Sequence, residues 1–122
     1  MKKLSCLILL AASLSTAAWA DCTYPKAPVK IPDGSTAARE EMIAAKKVVD
    51  QYNADMTTYL NCIKAEYDDA VAKQAATVSE EQKQKMASQY TQKNDAAVDE
   101  LQTVAGRFNE QLRAYNKAKN AK

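Results

Sequence analysis

Cys22 and Cys62 are the most reactive side chains that this sequence carries beyond its first twenty residues. They do not form a C-x-x-C pair, so the thiol exchange of an oxidoreductase is not supported. Without a histidine anywhere in the chain, two cysteines are also too few for a structural zinc site. In an oxidising compartment one intramolecular disulfide is the simple solution, with a bridge between chains or two free thiols as the alternatives. The lack of histidine also removes the commonest general base and the usual pH switch. No glycine-rich phosphate loop, metal-ligand cluster or activated nucleophile stands in the sequence, so no catalytic residue, metal or cofactor is expected.

Two carboxylate-rich points remain, Glu66 with Asp68 and Asp69, and Asp95 with Asp99 and Glu100. On helices such runs are solvated faces far more often than acid–base pairs. Five tyrosines, Tyr52, Tyr59, Tyr67, Tyr90 and Tyr115, fall on or beside apolar stripes and form a candidate binding surface, being apolar in body and polar at the tip. Met42, Met56 and Met86 could add an adaptable face, although their spacing suits a core. Beyond Glu110 every charge is positive, at Arg113, Lys117, Lys119 and Lys122. That suits a helix C-terminus, and it also offers a contact to an anionic envelope polymer.

These residues need elements to position them. Residues 21–35 hold all three prolines and one of the two glycines, which favours an extended polyproline-like arm. The arm closes on Asp33-Gly34-Ser35-Thr36, a cluster of turn and N-cap residues. From about 36 to 76 the stripe Met42, Ala45, Val49, Tyr52, Met56, Tyr59, Ile63 recurs by threes and fours, predicting an amphipathic helix that Val48, Leu60, Tyr67 and Val71 broaden. Two overlapping capping boxes, Thr77 with Glu80 and Ser79 with Gln82, predict a new helix over about 79–119. Its stripe runs Ala87, Tyr90, Asn94, Ala97, Leu101, Val104, Phe108, Gln111, Tyr115, widened by Val98, Ala105 and Leu112, and it ends in a basic tail at 120–122. Gly106 within it asks for a close approach of the arm or a partner helix, or else a local kink.

The expected fold is therefore all-α: an antiparallel, coiled-coil-like hairpin over 36–119 with the Pro-rich arm stapled to helix one. The staple can be tested against length. At 1.5 Å per residue Cys62 lies about 39 Å along a helix that starts near Thr36. The arm from Cys22 to Ser35 reaches about 40 Å as polyproline II. The bond therefore closes only on a nearly straight arm running back along helix one, with Tyr24, Val29 and Ile31 as candidate anchors.

Residues 1–20 read as a cleaved secretory signal: Lys2 and Lys3, an apolar stretch from Leu4 to Leu14, and the small residues of Ala18-Trp19-Ala20. Cleavage would leave Asp21 first, no integral membrane segment, and 15 basic against 15 acidic side chains. A formally neutral chain gives no reason to expect nucleic acid as a partner. Only 25 apolar side chains larger than alanine would remain, a thin core that ordinarily needs a staple.

The C-T-Y-P-x-x-P run from Cys22 and the Pro32-Asp33-Gly34 turn, with Glu40-Glu41-Met42 and Tyr59-Leu60-Asn61-Cys62, resemble small exported helical proteins of proteobacteria. Those proteins are uncharacterised and have an N-terminal Cys/Pro arm. The resemblance spans roughly residues 21–67 and implies export to the periplasm or beyond, the cysteine pair, and no mechanism. The expected function is non-enzymatic: a binding or structural protein of the bacterial envelope, acting on a protein partner or on itself. A chaperone-like holdase and an inhibitor or immunity-type partner of a secreted enzyme are the competing readings. Intact mass of the exported chain should start at Asp21 and rise by two hydrogens on reduction, and Cys62→Ser should lower the thermal midpoint. An unchanged midpoint would count against the staple.

Overall fold

A computed structural model describes residues 21–74 and 76–121; the expected signal segment and Lys122 lie outside the described residues. Those residues hold two α-helices and no strand: α1, Arg39–Gln74, and α2, Glu80–Asn120. Both helices are amphipathic, and their buried side chains form one cluster. All seven buried residues of α1 belong to the stripe Met42, Ala45, Val49, Tyr52, Met56, Tyr59, Ile63. Met56 and Val104 are the largest side chains that are fully enclosed.

The start of α1 is set by a turn that consumes the capping groups upstream. Asp33 Oδ1 accepts hydrogen bonds from Ser35 N at 2.9 Å and Ser35 Oγ at 2.6 Å. Its main-chain carbonyl accepts from Thr36 N at 3.2 Å and Ala37 N at 2.8 Å. The Ser35 bonds hold the Asp33 carboxyl below its usual range, because they favour the ionised acceptor. With Asp33 and Ser35 engaged in the turn, α1 begins at Arg39 instead of near Thr36. Glu41 then reaches back to accept from Ala38 N at 2.7 Å, which is half of a capping box.

Of the two overlapping boxes expected before α2, the one that forms joins Ser79 and Gln82. Ser79 Oγ accepts from Gln82 N, and Gln82 Oε1 accepts from Ser79 N. Glu80 lies inside the helix and pairs instead with Lys83 at 2.7 Å.

The two helices pack on each other, and the segment before α1 also reaches α2. Tyr67, two turns before the end of α1, stacks on Tyr90 of α2 with ring centroids 4.8 Å apart. At the other end Gly34 N donates to Gln111 Oε1 at 3.0 Å. Burial on α2 is narrower than its stripe: Ala97, Val104 and Phe108 are buried, while Tyr90, Leu101 and Tyr115 are only half-buried. The buried stretch coincides with the part of α2 that the segment before α1 also touches, through Glu100 and Gln111. Two helices alone leave too much of each face in water; the third element completes the burial. Among the expected seam-broadening residues Val48, Val71 and Leu112 are exposed.

The two glycines have opposite surroundings. Gly34 is buried, and a methyl group added to it would overlap the Gln111 carbonyl and come within 2.8 Å of Tyr115 N. Here the chain lies backbone against backbone on α2, and only glycine fits. A methyl group on Gly106 would meet nothing within 4 Å, and α2 runs unbroken through that position. Among the described residues no close approach explains Gly106. Gly34→Ala should therefore cost about 2 kcal/mol through overpacking, whereas Gly106→Ala should gain about 0.5–1 kcal/mol. Urea midpoints followed by helical circular dichroism check both signs.

Candidate functional site

The segment 21–38 supplies what the helices lack, beginning with the Cys22–Cys62 disulfide, whose Cα atoms are 5.7 Å apart. Two residues on, the Tyr24 ring meets Tyr59 edge to face, with centroids 4.9 Å apart at 70°. The Tyr24 hydroxyl donates to Glu100 Oε2, tying the segment to α2 as well as to α1. Ala27 and Ile31 pack against the core cluster. Of the three expected anchors, Tyr24 and Ile31 make contact, but Val29 is 83% exposed and anchors nothing. Strict alternation would put Val29 and Ile31 on one side; the chain bends at Val29, which faces water while Ile31 packs on the core. Ala27 and Gly34 do the anchoring that larger side chains were expected to do. Small residues carry little hydrophobic signal, and so escaped notice in the sequence.

The five tyrosines of the candidate surface divide. Tyr52 and Tyr59 are 4% and 7% exposed and are core residues, unavailable to a partner. Tyr67, Tyr90 and Tyr115 are half-buried and remain accessible. Lys119 Nζ lies 5.2 Å from the centroid of the Tyr115 ring, so one of the terminal basic residues is spent on a cation–π contact. Met42 and Met56 are buried, and Met86 is half-buried.

Among the described residues nothing covers the groove between the helices past Asp21. It is an open trough of about 320 Å³ with Ile63, Tyr67, Met86 and Tyr90 in its lining and Asp21, Glu66 and Lys93 among its polar groups. A smaller, more enclosed depression of about 210 Å³ adjoins it, sharing Met86 and adding Val71, Val78 and Lys83. Neither holds a nucleophile beside a base.

Two carboxylates of the first carboxylate-rich point are otherwise occupied. Asp68 pairs with Lys64 and Asp69 with Lys73, each one turn away on an exposed face. The Asp68 carboxylate raises the Lys64 pKa by hydrogen bonding to the ammonium. Glu100 accepts from Tyr24 and has no second carboxylate partnered with it in this role. Glu66 differs from its neighbours: its carboxylate lies with the Cys22 and Cys62 sulfurs in one group, all three ligand atoms within 4.8 Å of one another.

Among the described residues no helix is long and apolar enough to cross a membrane. Comparison with protein families, curated proteins and solved structures gave no match to this chain.

The phenols of Tyr24 and Tyr52 both titrate above the ordinary range. Burial is the first cause for each, followed for Tyr24 by its hydrogen bond to Glu100 and for Tyr52 by the Glu100 charge. The Tyr52 hydroxyl is buried with no hydrogen-bond partner. In both cases the fold favours the neutral phenol, while the unfolded chain loses these protons near pH 10. The associated stability is thus complete below about pH 10 and declines as the pH rises through the folded values. Phenolate absorbance should show two late-titrating tyrosines, and Tyr24→Phe should leave one and flatten the alkaline fall of the melting temperature.

Proposed function

We propose that this chain is an exported, non-enzymatic protein of the bacterial envelope that binds another protein. In this reading α1 and α2 form an antiparallel hairpin, the Pro-rich segment is an arm stapled along it, and the trough past Asp21 receives an extended segment of the partner. One observation carries the proposal: the segment from Cys22 packs against the core cluster that both helices share, and among the described residues the groove between the helices stays open beyond Asp21. A partner segment entering there would continue the line of the arm. Tyr67, Met86 and Tyr90 would supply apolar area, and Glu66, Gln89 and Lys93 the polar rim, which is the usual anatomy of a protein interface.

The absence of histidine supports binding over catalysis, as does the engagement of Asp68, Asp69 and Glu100 in ordinary pairs. Export rests on the signal-like residues 1–20 and on the disulfide, which suits an oxidising compartment.

A photo-crosslinking residue placed at Tyr90 of the exported chain tests the reading. The expected result is a discrete adduct whose crosslinked peptide maps to an extended, apolar stretch of a different protein, and which Met86→Glu abolishes. No adduct, or an adduct only with a second copy of this chain, would overturn it. Suppression of aggregation across many unfolded clients, with no discrete adduct, would turn the assignment to a holdase.

A further inference from the structure

The disulfide has a third chemically active neighbour. Glu66 follows Cys62 by one helical turn, so the two side chains leave the same face of α1. The segment before α1 lays Cys22 onto that face. Whereas Asp68 and Asp69 turn away to Lys64 and Lys73, the Glu66 carboxylate lies with the sulfurs, within a group spanning 4.8 Å and partly shielded from water. The approach of Cys22 does not depend on the covalent bond alone. The Tyr24 ring on Tyr59, the Tyr24 bond to Glu100, the packing of Ile31 and the Gly34 bond to Gln111 all hold the segment in place. Opening the bond therefore leaves two thiols and a carboxylate facing one point.

We propose that the reduced chain binds one zinc-class cation through Cys22 Sγ, Cys62 Sγ and the Glu66 carboxylate, so that this locus holds either a disulfide or a metal thiolate. Two thiolates and one carboxylate are a competent donor set for Zn²⁺, with the fourth tetrahedral position open toward the trough. Tetrahedral Zn–S bonds of about 2.3 Å place the sulfurs about 3.8 Å apart, a separation that side-chain rotation alone supplies. Soft thiolates disfavour Mg²⁺ and Ca²⁺. Counting cysteines by themselves excluded zinc; the helical register of Glu66 completes the set. The chemistry balances: a dithiol reductant gives two electrons and two protons to the Cys22–Cys62 bond and closes its own disulfide, and Zn²⁺ then displaces the two thiol protons to solvent. Bound metal holds both thiolates, so it retards reoxidation. This inference goes beyond the binding function proposed above and does not rest on it.

The test uses the full chain reduced with a water-soluble phosphine, which ends as its oxide and leaves no competing thiol. Native mass spectrometry should show a single zinc adduct on the reduced chain and none on the oxidised one. Co²⁺ should give the near-ultraviolet thiolate charge-transfer band. Glu66→Gln should weaken uptake at least tenfold, on the order expected for losing part of a metal site, and Zn²⁺ should slow disulfide formation in the native sequence. Helical circular dichroism recorded on the same samples separates a site in the folded chain from a dithiol in an unfolded one. Absence of uptake, equal affinity in Glu66→Gln, or uptake that persists in Cys22→Ser would each overturn the proposal.

Discussion

Each of two paired helices has one neighbour, and one neighbour covers only a stripe of it; the remaining flank stays in water unless a third layer is added. In this chain the segment before α1 is non-helical and poor in large side chains, and a few specific contacts hold it on the helices. The Cys22–Cys62 bond reinforces them by closing a loop with a sequence separation of 40. Restricting the unfolded chain over such a loop stabilises the fold by about 3 to 4 kcal/mol in the chain-entropy account. The fully enclosed side chains, Met56 and Val104, belong to the cluster that this segment helps to cover. Isolated helices of this composition, with alanine as the commonest apolar residue, would have little else to hold them together.

Noncovalent contacts then decide where the tethered segment lies. Edge-to-face packing of Tyr24 on Tyr59 places it against α1, and the hydrogen bond to Glu100 ties it to α2. Gly34 permits backbone contact where any side chain would separate the segment from the helix. The exposed lysine–carboxylate pairs along the helices contribute little by comparison, because solvent screens them and ordering two long side chains is costly in entropy.

The reactive groups collect beside the open trough. Glu66 belongs both to the lining of the open trough and to the group around the sulfurs. The cysteine pair and the groove mouth therefore share a residue.

Much of this arrangement follows from local pattern. The spacing of Met42 through Ile63 is the 3.6-residue period itself, and burial of that stripe follows once any apolar partner is present. The Ser79–Gln82 box marks the start of α2 because its bonds close within one turn. What the sequence could not decide were matters of contact between distant residues. It offered five tyrosines as one surface, but packing put Tyr52 and Tyr59 inside and left Tyr67, Tyr90 and Tyr115 at the edge. Hydrophobicity favoured Val29 as an anchor, yet a bend in the chain at that residue leaves it in water. Gly34 and Gly106 look alike in one dimension, and only the approach of the α2 backbone separates the required glycine from the dispensable one. The proximity of Glu66 to both sulfurs joins a local spacing to a contact made across 40 positions. Periodicity is a property of one segment and can be read from it, whereas facing, clearance and convergence belong to pairs of segments and exist only after they have packed.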